Sequence, residues 1–184
     1  MTARGIKIVL ATAALAAGLA GCTSEVGGQA TPSSQATGTT APATGDPDNP
    51  FAGLSPCTIL DQVLAGQGFP PATPTLADSK HGCGTEKPTS GNVQSVDVSL
   101  LLQPGGNYKN NVNNPGQASE GKVNGRPAIE EQEPQHSSGQ CSIRFQVKQD
   151  SRALLVLSSS LDTASACKQV EGIAEKVEPL LPKN

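Results

Sequence analysis

Cys22 closes an apolar run as the last residue of Leu19-Ala20-Gly21-Cys22. A cysteine so placed can carry a thioether-linked diacylglyceryl group, and the small Ala20 and Gly21 let the backbone enter a signal peptidase. Arg4 and Lys7 precede the apolar segment Ile8 to Leu19. A positive end, a short apolar core and small residues before a cut make a secretory leader. The run is too short to span a bilayer, which takes about 20 apolar residues. Two lipid chains suffice for stable anchoring. The chain is therefore expected to be a lipoprotein whose leader is residues 1–21.

Four further cysteines follow: Cys57, Cys83, Cys141 and Cys167. An even number in an exported chain implies two disulfides. Of the three connectivities, Cys57–Cys83 with Cys141–Cys167 is favoured. Both intervals are 26 residues. In each pair one cysteine sits near an expected helix start and the other in or beside an expected strand. A metal site with His81 is the rival use, but no Cys-x-x-Cys pair is present. No metal and no cofactor is expected.

Other chemical patterns are weaker. Gly116 to Val123 nearly matches a phosphate-binding loop, but Val123 stands where Ser or Thr would hold Mg²⁺. A tight turn at Asn124-Gly125 follows where a helix is needed. Ser165-Ala166-Cys167-Lys168 fits the Ser-x-x-Lys pattern of penicillin-interacting acyl enzymes, yet neither Ser-Asp-Asn nor Lys-Thr-Gly occurs. His81 and His136 read as surface residues. The stretch Gln103 to Gly121 is rich in Gly and Asn and carries the only tyrosine, Tyr108, beside Lys109. Loops of more than about 12–15 residues are often functional. The candidate binding surface is accordingly Tyr108 and Lys109 with Arg144, Gln146 and Lys148 on the neighbouring polar sheet face.

The elements that must position these groups begin at Asn49. Before it, residues 22–48 are mostly Ser, Thr, Ala, Gly, Pro and Gln, a composition expected to be a disordered tether. As a flexible coil it would average roughly 30 Å end to end. Residues 49–184 are expected to be one domain. Ser55 caps a helix that starts at Pro56 and closes near Gly66. Ile59, Leu60, Val63 and Leu64 make its apolar stripe. A last helix runs from about Thr163 to Glu178, capped by Asp162 or Thr163 and stopped by Pro179. Between them the period is two: Val96, Val98, Leu100 and Leu102, then residues flanking Asn124-Gly125, then Ile143, Phe145 and Val147, then Ala153 to Ser159. The expected fold is α+β: an antiparallel sheet of about five strands with both helices on one face and a polar face opposite.

Arg4 and Lys7 are the only charged residues of the leader, so its removal takes the formal charge from −3 to −5. A mildly acidic chain without a basic patch argues against nucleic acid and against electrostatic binding to anionic lipid, so attachment to the membrane is expected to come from the lipid on Cys22. The expected partners are the membrane, through the lipid on Cys22, and an envelope protein or small ligand.

Taken together, Asn49-Pro50-Phe51, Pro56-Cys57-Thr58-Ile59-Leu60, Gly82-Cys83, Val123 to Ala128, Cys141 with its alternating apolar residues, and Ala166-Cys167 resemble an actinobacterial lipoprotein family. That family is catalogued only as a domain of unknown function. Gly84 and Thr85 follow Cys83 where its members often carry Trp. The layout is similar, more weakly, to the two-disulfide extracellular sensor domains of mycobacterial Ser/Thr kinases. The resemblance implies a non-catalytic binding or sensing module on the extracytoplasmic face of the cell membrane. The alternatives are a structural accessory of an envelope complex and, less favoured, a small hydrolase or transferase.

Overall fold

Ser55 accepts a hydrogen bond from the Thr58 N–H at 3.3 Å, and Pro56 needs no partner for its nitrogen, so helix α1 (Pro56–Leu64) starts there. The structure, a computed structural model, describes residues 49–91 and 94–183. The leader, the lipidated cysteine and the tether expected over residues 1–48 lie outside the described residues. Phe51, 5 % exposed, is the first core residue among the described residues.

Seven strands follow α1: β1 (Thr73–Pro74), β2 (Gly82–Lys87), β3 (Val96–Pro104), β4 (Ala118–Val123), β5 (Arg126–Gln132), β6 (Gln140–Lys148) and β7 (Ser151–Ser159). They form one antiparallel sheet in the order β1-β2-β3-β7-β6-β5-β4. Helix α2 (Thr163–Val177) closes the fold, with Asp162 as its cap. It runs on into a 3₁₀ turn (Glu178–Leu180) that contains Pro179, so the proline tightens the helix end.

Both helices lie on one face. α1 packs over β2 and β3, α2 over β6 and β7, and the two touch each other. Between them and the sheet sits the core, with Leu60, Val98, Leu100, Phe145, Leu155, Leu157 and Val170 fully buried. The disulfides pair as Cys57–Cys83 and Cys141–Cys167. Each fastens one helix to one strand: α1 to β2, and α2 to β6. In the chain-entropy account, a loop of this length contributes about 3–4 kcal/mol.

The sheet has more strands than expected. A strand was expected in or beside Cys83, but the extent of β2 was not legible because Gly82-Cys83-Gly84-Thr85 shows no apolar alternation, and the two-residue β1 is too short to carry a period. The glycines are there for close approach. A Cβ on Gly82 would stand 2.7 Å from Thr75 Oγ1, and one on Gly84 would stand 2.9 Å from Ser99 Oγ. The expected loop Gln103 to Gly121 is also shorter than read, because Ala118–Val123 pairs with β5 as the edge strand β4. Asn124 (φ 49°) and Gly125 (φ 88°) form the expected tight turn between them.

The second face of the sheet departs from the uniformly polar one expected. Residues 105–117 cross it over β5, β6 and β7, while Leu101, Leu154 and Val156 are half-buried on its other half.

Candidate functional site

Two turns and a strand end build a cleft at one edge of the domain. β6 and β7 are joined by Gln149-Asp150 alone, which sets Gln146, Lys148 and Asp150 at the tip of the sheet. β3 ends beside them at Pro104, followed by Gly105. The third wall is the turn before β2. There the His81 N–H donates to Asp78 Oδ1 at 3.0 Å, and His81 Nδ1 lies 3.1 and 3.2 Å from the two carboxylate oxygens. The Gly82 N–H donates to the Asp78 carbonyl at 2.8 Å, and the Leu102 N–H donates to the His81 carbonyl at 2.8 Å. The turn is thus pinned to β3. With Nδ1 on the Asp78 carboxylate, Nε2 is the ring nitrogen left for other partners.

The cleft measures about 1240 Å³, and Asn49 closes it. Lys80 and Lys148 line it, both are exposed, and neither forms an ion pair among the described residues. Asp150 is its one carboxylate. A groove of about 190 Å³ opens from the same wall, sharing Asn49, Lys80 and His81 and lined further by Phe51, Leu54 and Leu102.

The five residues expected to form a binding surface part company. Gln146 and Lys148 line the cleft. Lys109 lies elsewhere, exposed, with Nζ 2.9 Å from both Glu120 carboxylate oxygens and 5.7 Å from the Tyr108 ring centre. Glu120 raises the Lys109 pKa by hydrogen bond and charge. Tyr108 is 8 % exposed and Arg144 3 %, so neither offers a surface for direct contact. Arg144 Nη2 donates to Glu131 Oε2 at 2.6 Å beneath the 105–117 segment, and its Nη1 donates to the Asn110 carbonyl at 3.5 Å. Burial pulls the Arg144 pKa down, the Glu131 charge opposes this, and Arg152 adds to it. Glu131 also accepts from the Asn114 N–H. Arg152 donates to Gln103 Oε1 at 2.7 Å and to the carbonyls of Asn107 and Asn110. These arginines position the loop. Lys80 and His81 were missed as site residues because Ser79-Lys80-His81-Gly82 reads as an ordinary polar turn. Only tertiary packing brings it beside the β6–β7 hairpin, far along the chain.

A second depression, about 370 Å³, lies on the helix side and holds Glu130, Glu171, Glu175 and Lys122. Burial, and then the hydrogen bond and charge of Glu171, push the Glu130 pKa up. Glu130 also lies within 4.8 Å of the sulfurs of Cys141 and Cys167. Those sulfurs are bonded to each other, so they offer no thiolate to a metal.

The catalytic patterns fall out differently. Ser165 Oγ bonds the cap carboxylate of Asp162 at 2.9 Å, and among the described residues no bond joins it to Lys168. Asp162 in turn has its pKa lowered, first by the Ser165 N–H and then by the Ser165 hydroxyl. Gly116 and Gln117 lie in a 3₁₀ turn (Pro115–Gln117), Ala118 to Val123 form strand β4, and strand β5 follows where a helix would be needed. His136 is exposed in the turn between β5 and β6.

The sequence profile of a family described as "Protein of unknown function (DUF3558)" matches residues 17–180. No curated protein matches the chain, and no solved structure does.

Proposed function

The chain belongs to that family of proteins of unknown function, and from this premise we propose that it is a non-catalytic binding or sensing module, lipid-anchored through Cys22 on the extracytoplasmic face of the cell membrane. The leader and Leu19-Ala20-Gly21-Cys22 support the anchor. The shared region starts at residue 17, so it takes in Cys22. Two disulfides in one small domain suit an oxidising compartment. The observation that carries the binding role is the cleft between the β6–β7 hairpin and the His81 turn. Concave sites with a few convergent polar groups are where small ligands bind.

Filling the cleft tests the reading. The full chain and its Gln146→Trp variant are expressed in the native envelope and recovered after mild cross-linking. The wild type is expected to carry an envelope component that the variant loses, with equal thermal midpoints. Identical recovery from both, or none from the wild type, would refute a ligand role for the cleft. A second reading, an accessory subunit of an envelope complex, draws support from half-buried Leu101, Leu154 and Val156 on the sheet face opposite the helices. A membrane protein cross-linked to β3 or β7 in both chains would favour it.

A further inference from the structure

We propose that β4 is a docking edge for a second copy of this chain: the two β4 strands pair antiparallel about a two-fold axis at Gly121. The inference goes beyond the cleft and does not depend on a ligand there.

The two edges of the sheet differ. β1 ends one side with two residues, the second of them Pro74, and a short strand with proline is a blunted edge. β4 ends the other side with six residues in unbroken register with β5. No strand lies beyond it among the described residues, and Ser119, Glu120, Gly121 and Lys122 are exposed.

Alternation decides which backbone groups are left over. The two-residue turn Asn124-Gly125 makes Val123 and Arg126 a hydrogen-bonded pair, and by the same period so are Gly121 with Ala128 and Ser119 with Glu130. Ala118, Glu120 and Lys122 therefore turn their N–H and C=O groups away from β5. A two-fold at Gly121 sets Glu120 of each copy opposite Lys122 of the other, and those free groups then bond each other in about four hydrogen bonds. Gly121 faces its own copy in a non-hydrogen-bonded pair, the position where facing residues come closest. It brings no side chain to that contact, and a Cβ there would meet nothing within 4 Å of its own domain.

Charge fixes the register. Glu120 and Lys122 lie on one sheet face, opposite Ile129 and Pro127. About Gly121 each carboxylate meets the ammonium of the other copy. An axis moved by one residue, to Glu120 or to Lys122, would set like charges against each other. Lys122 forms no ion pair among the described residues. Glu120 also holds its own Lys109 at 2.9 Å, in a pair whose side chains are 65 % and 52 % exposed. In the dimer each Glu120 thus lies between two ammonium groups. Glu130, Glu171 and Glu175, which share a depression with Lys122, offset that surplus from the helix side. A lysine on an edge strand discourages pairing with an arbitrary strand. Here the answering carboxylate is in the same sequence, two residues away. Six residues a side make a small interface, so the dimer is a weak one.

Cysteine cross-linking of the purified full chain reads the register. The domain cysteines are bonded in pairs, and the unsubstituted chain serves as the blank for Cys22. Under copper phenanthroline, Gly121→Cys is expected to give a covalent dimer, since a non-hydrogen-bonded pair falls within disulfide reach. Ser119→Cys and Val123→Cys are each expected to stay monomeric alone, because like residues stand roughly 13 Å apart across the axis. Mixed together, they are expected to link. Adding Lys122→Glu is expected to cut the Gly121→Cys dimer about tenfold, by turning both cross-strand pairs into like charges, and Glu120→Lys should do the same. Mixing these two charge variants should restore the link as a heterodimer. Both charge positions are exposed, so thermal midpoints should match the wild type. A Gly121→Cys chain that stays monomeric, or a dimer indifferent to both reversals, overturns the proposal. Linkage of Ser119→Cys alone marks random contact and overturns it too. If Gly121→Cys in native membranes links to a different protein and not to itself, the edge belongs to that protein and self-pairing falls.

Discussion

Arg126, Arg144 and Arg152 each turn a guanidinium toward the carbonyls of an irregular segment. Arg126 donates to Glu178 Oε1 at 2.8 Å, to the Gln146 carbonyl at 3.1 Å and to the Pro182 carbonyl at 3.0 Å, holding the C-terminal tail against the sheet. Arg144 and Arg152 hold the 105–117 segment. A planar group with five donors suits this task, because a crossing loop presents carbonyls at several angles. The Arg144–Glu131 pair is the most buried of them, with side chains 3 % and 0 % exposed. Removing one partner of such a pair leaves an uncompensated charge. Arg144→Met is therefore expected to cost about 3–5 kcal/mol in urea denaturation. Adding Glu131→Leu should return much of that loss, since an apolar pair of similar volume carries no desolvated charge. A single variant within 1 kcal/mol of the wild type would show that the pair does not hold the loop (about the spread of an ordinary surface change). The alternation of β6 puts Arg144 opposite the apolar core, which in sequence reads as solvent-facing. The carbonyls that bury it come from a segment 34 residues away, and periodicity cannot see them.

At the scale of elements, the helices follow from local rules. Ser55 and Asp162 are caps, Pro56 starts a helix, and the apolar stripes face the sheet. The strands with apolar alternation were equally legible. The two-residue β1 was not, and β2 was expected only as a strand in or beside Cys83, because its close packing is decided by what Gly82 and Gly84 permit at a neighbouring surface. Gly139 shows the same logic at a turn. Its φ is +79°, its N–H donates to Thr163 Oγ1 at 3.0 Å, and its carbonyl accepts from the Ser159 N–H at 2.8 Å. A Cβ there would overlap the Ser159 carbonyl oxygen and stand 2.7 Å from that of Leu161. Gly139→Ala is expected to destabilise the domain by more than about 1 kcal/mol, since it adds a backbone clash to the strain of a positive φ. Gly125→Ala is the control. Gly125 also has a positive φ (88°) but meets nothing within 4 Å, so its loss should be the smaller. Equal losses in thermal denaturation would assign the whole effect to the backbone angle.

The whole molecule is a sheet with one face under two helices and half of the other under a loop. Each disulfide fastens a helix to a strand. This leaves the end of the sheet around Pro104 and the β6–β7 hairpin open as the cleft. The intact mass of the protein taken from native membranes is expected to show a chain that begins at Cys22 and carries a diacylglyceryl group. A chain still bearing Met1, or a free thiol at residue 22, would detach the cleft from any membrane role.

By itself, the sequence determined the caps and stripes of both helices and the Asn124-Gly125 turn, all set by residues close together or by a repeating period. The pairing of the cysteines it only favoured, from two equal intervals, and the tertiary structure decided it. The sequence also picked out Gln146 and Lys148, but with companions that proved to be buried or elsewhere. Tertiary structure alone decided that Lys80 and His81 would join them. A cleft is made where segments distant in the chain fail to fill the space between them, and local preferences carry no record of such a gap.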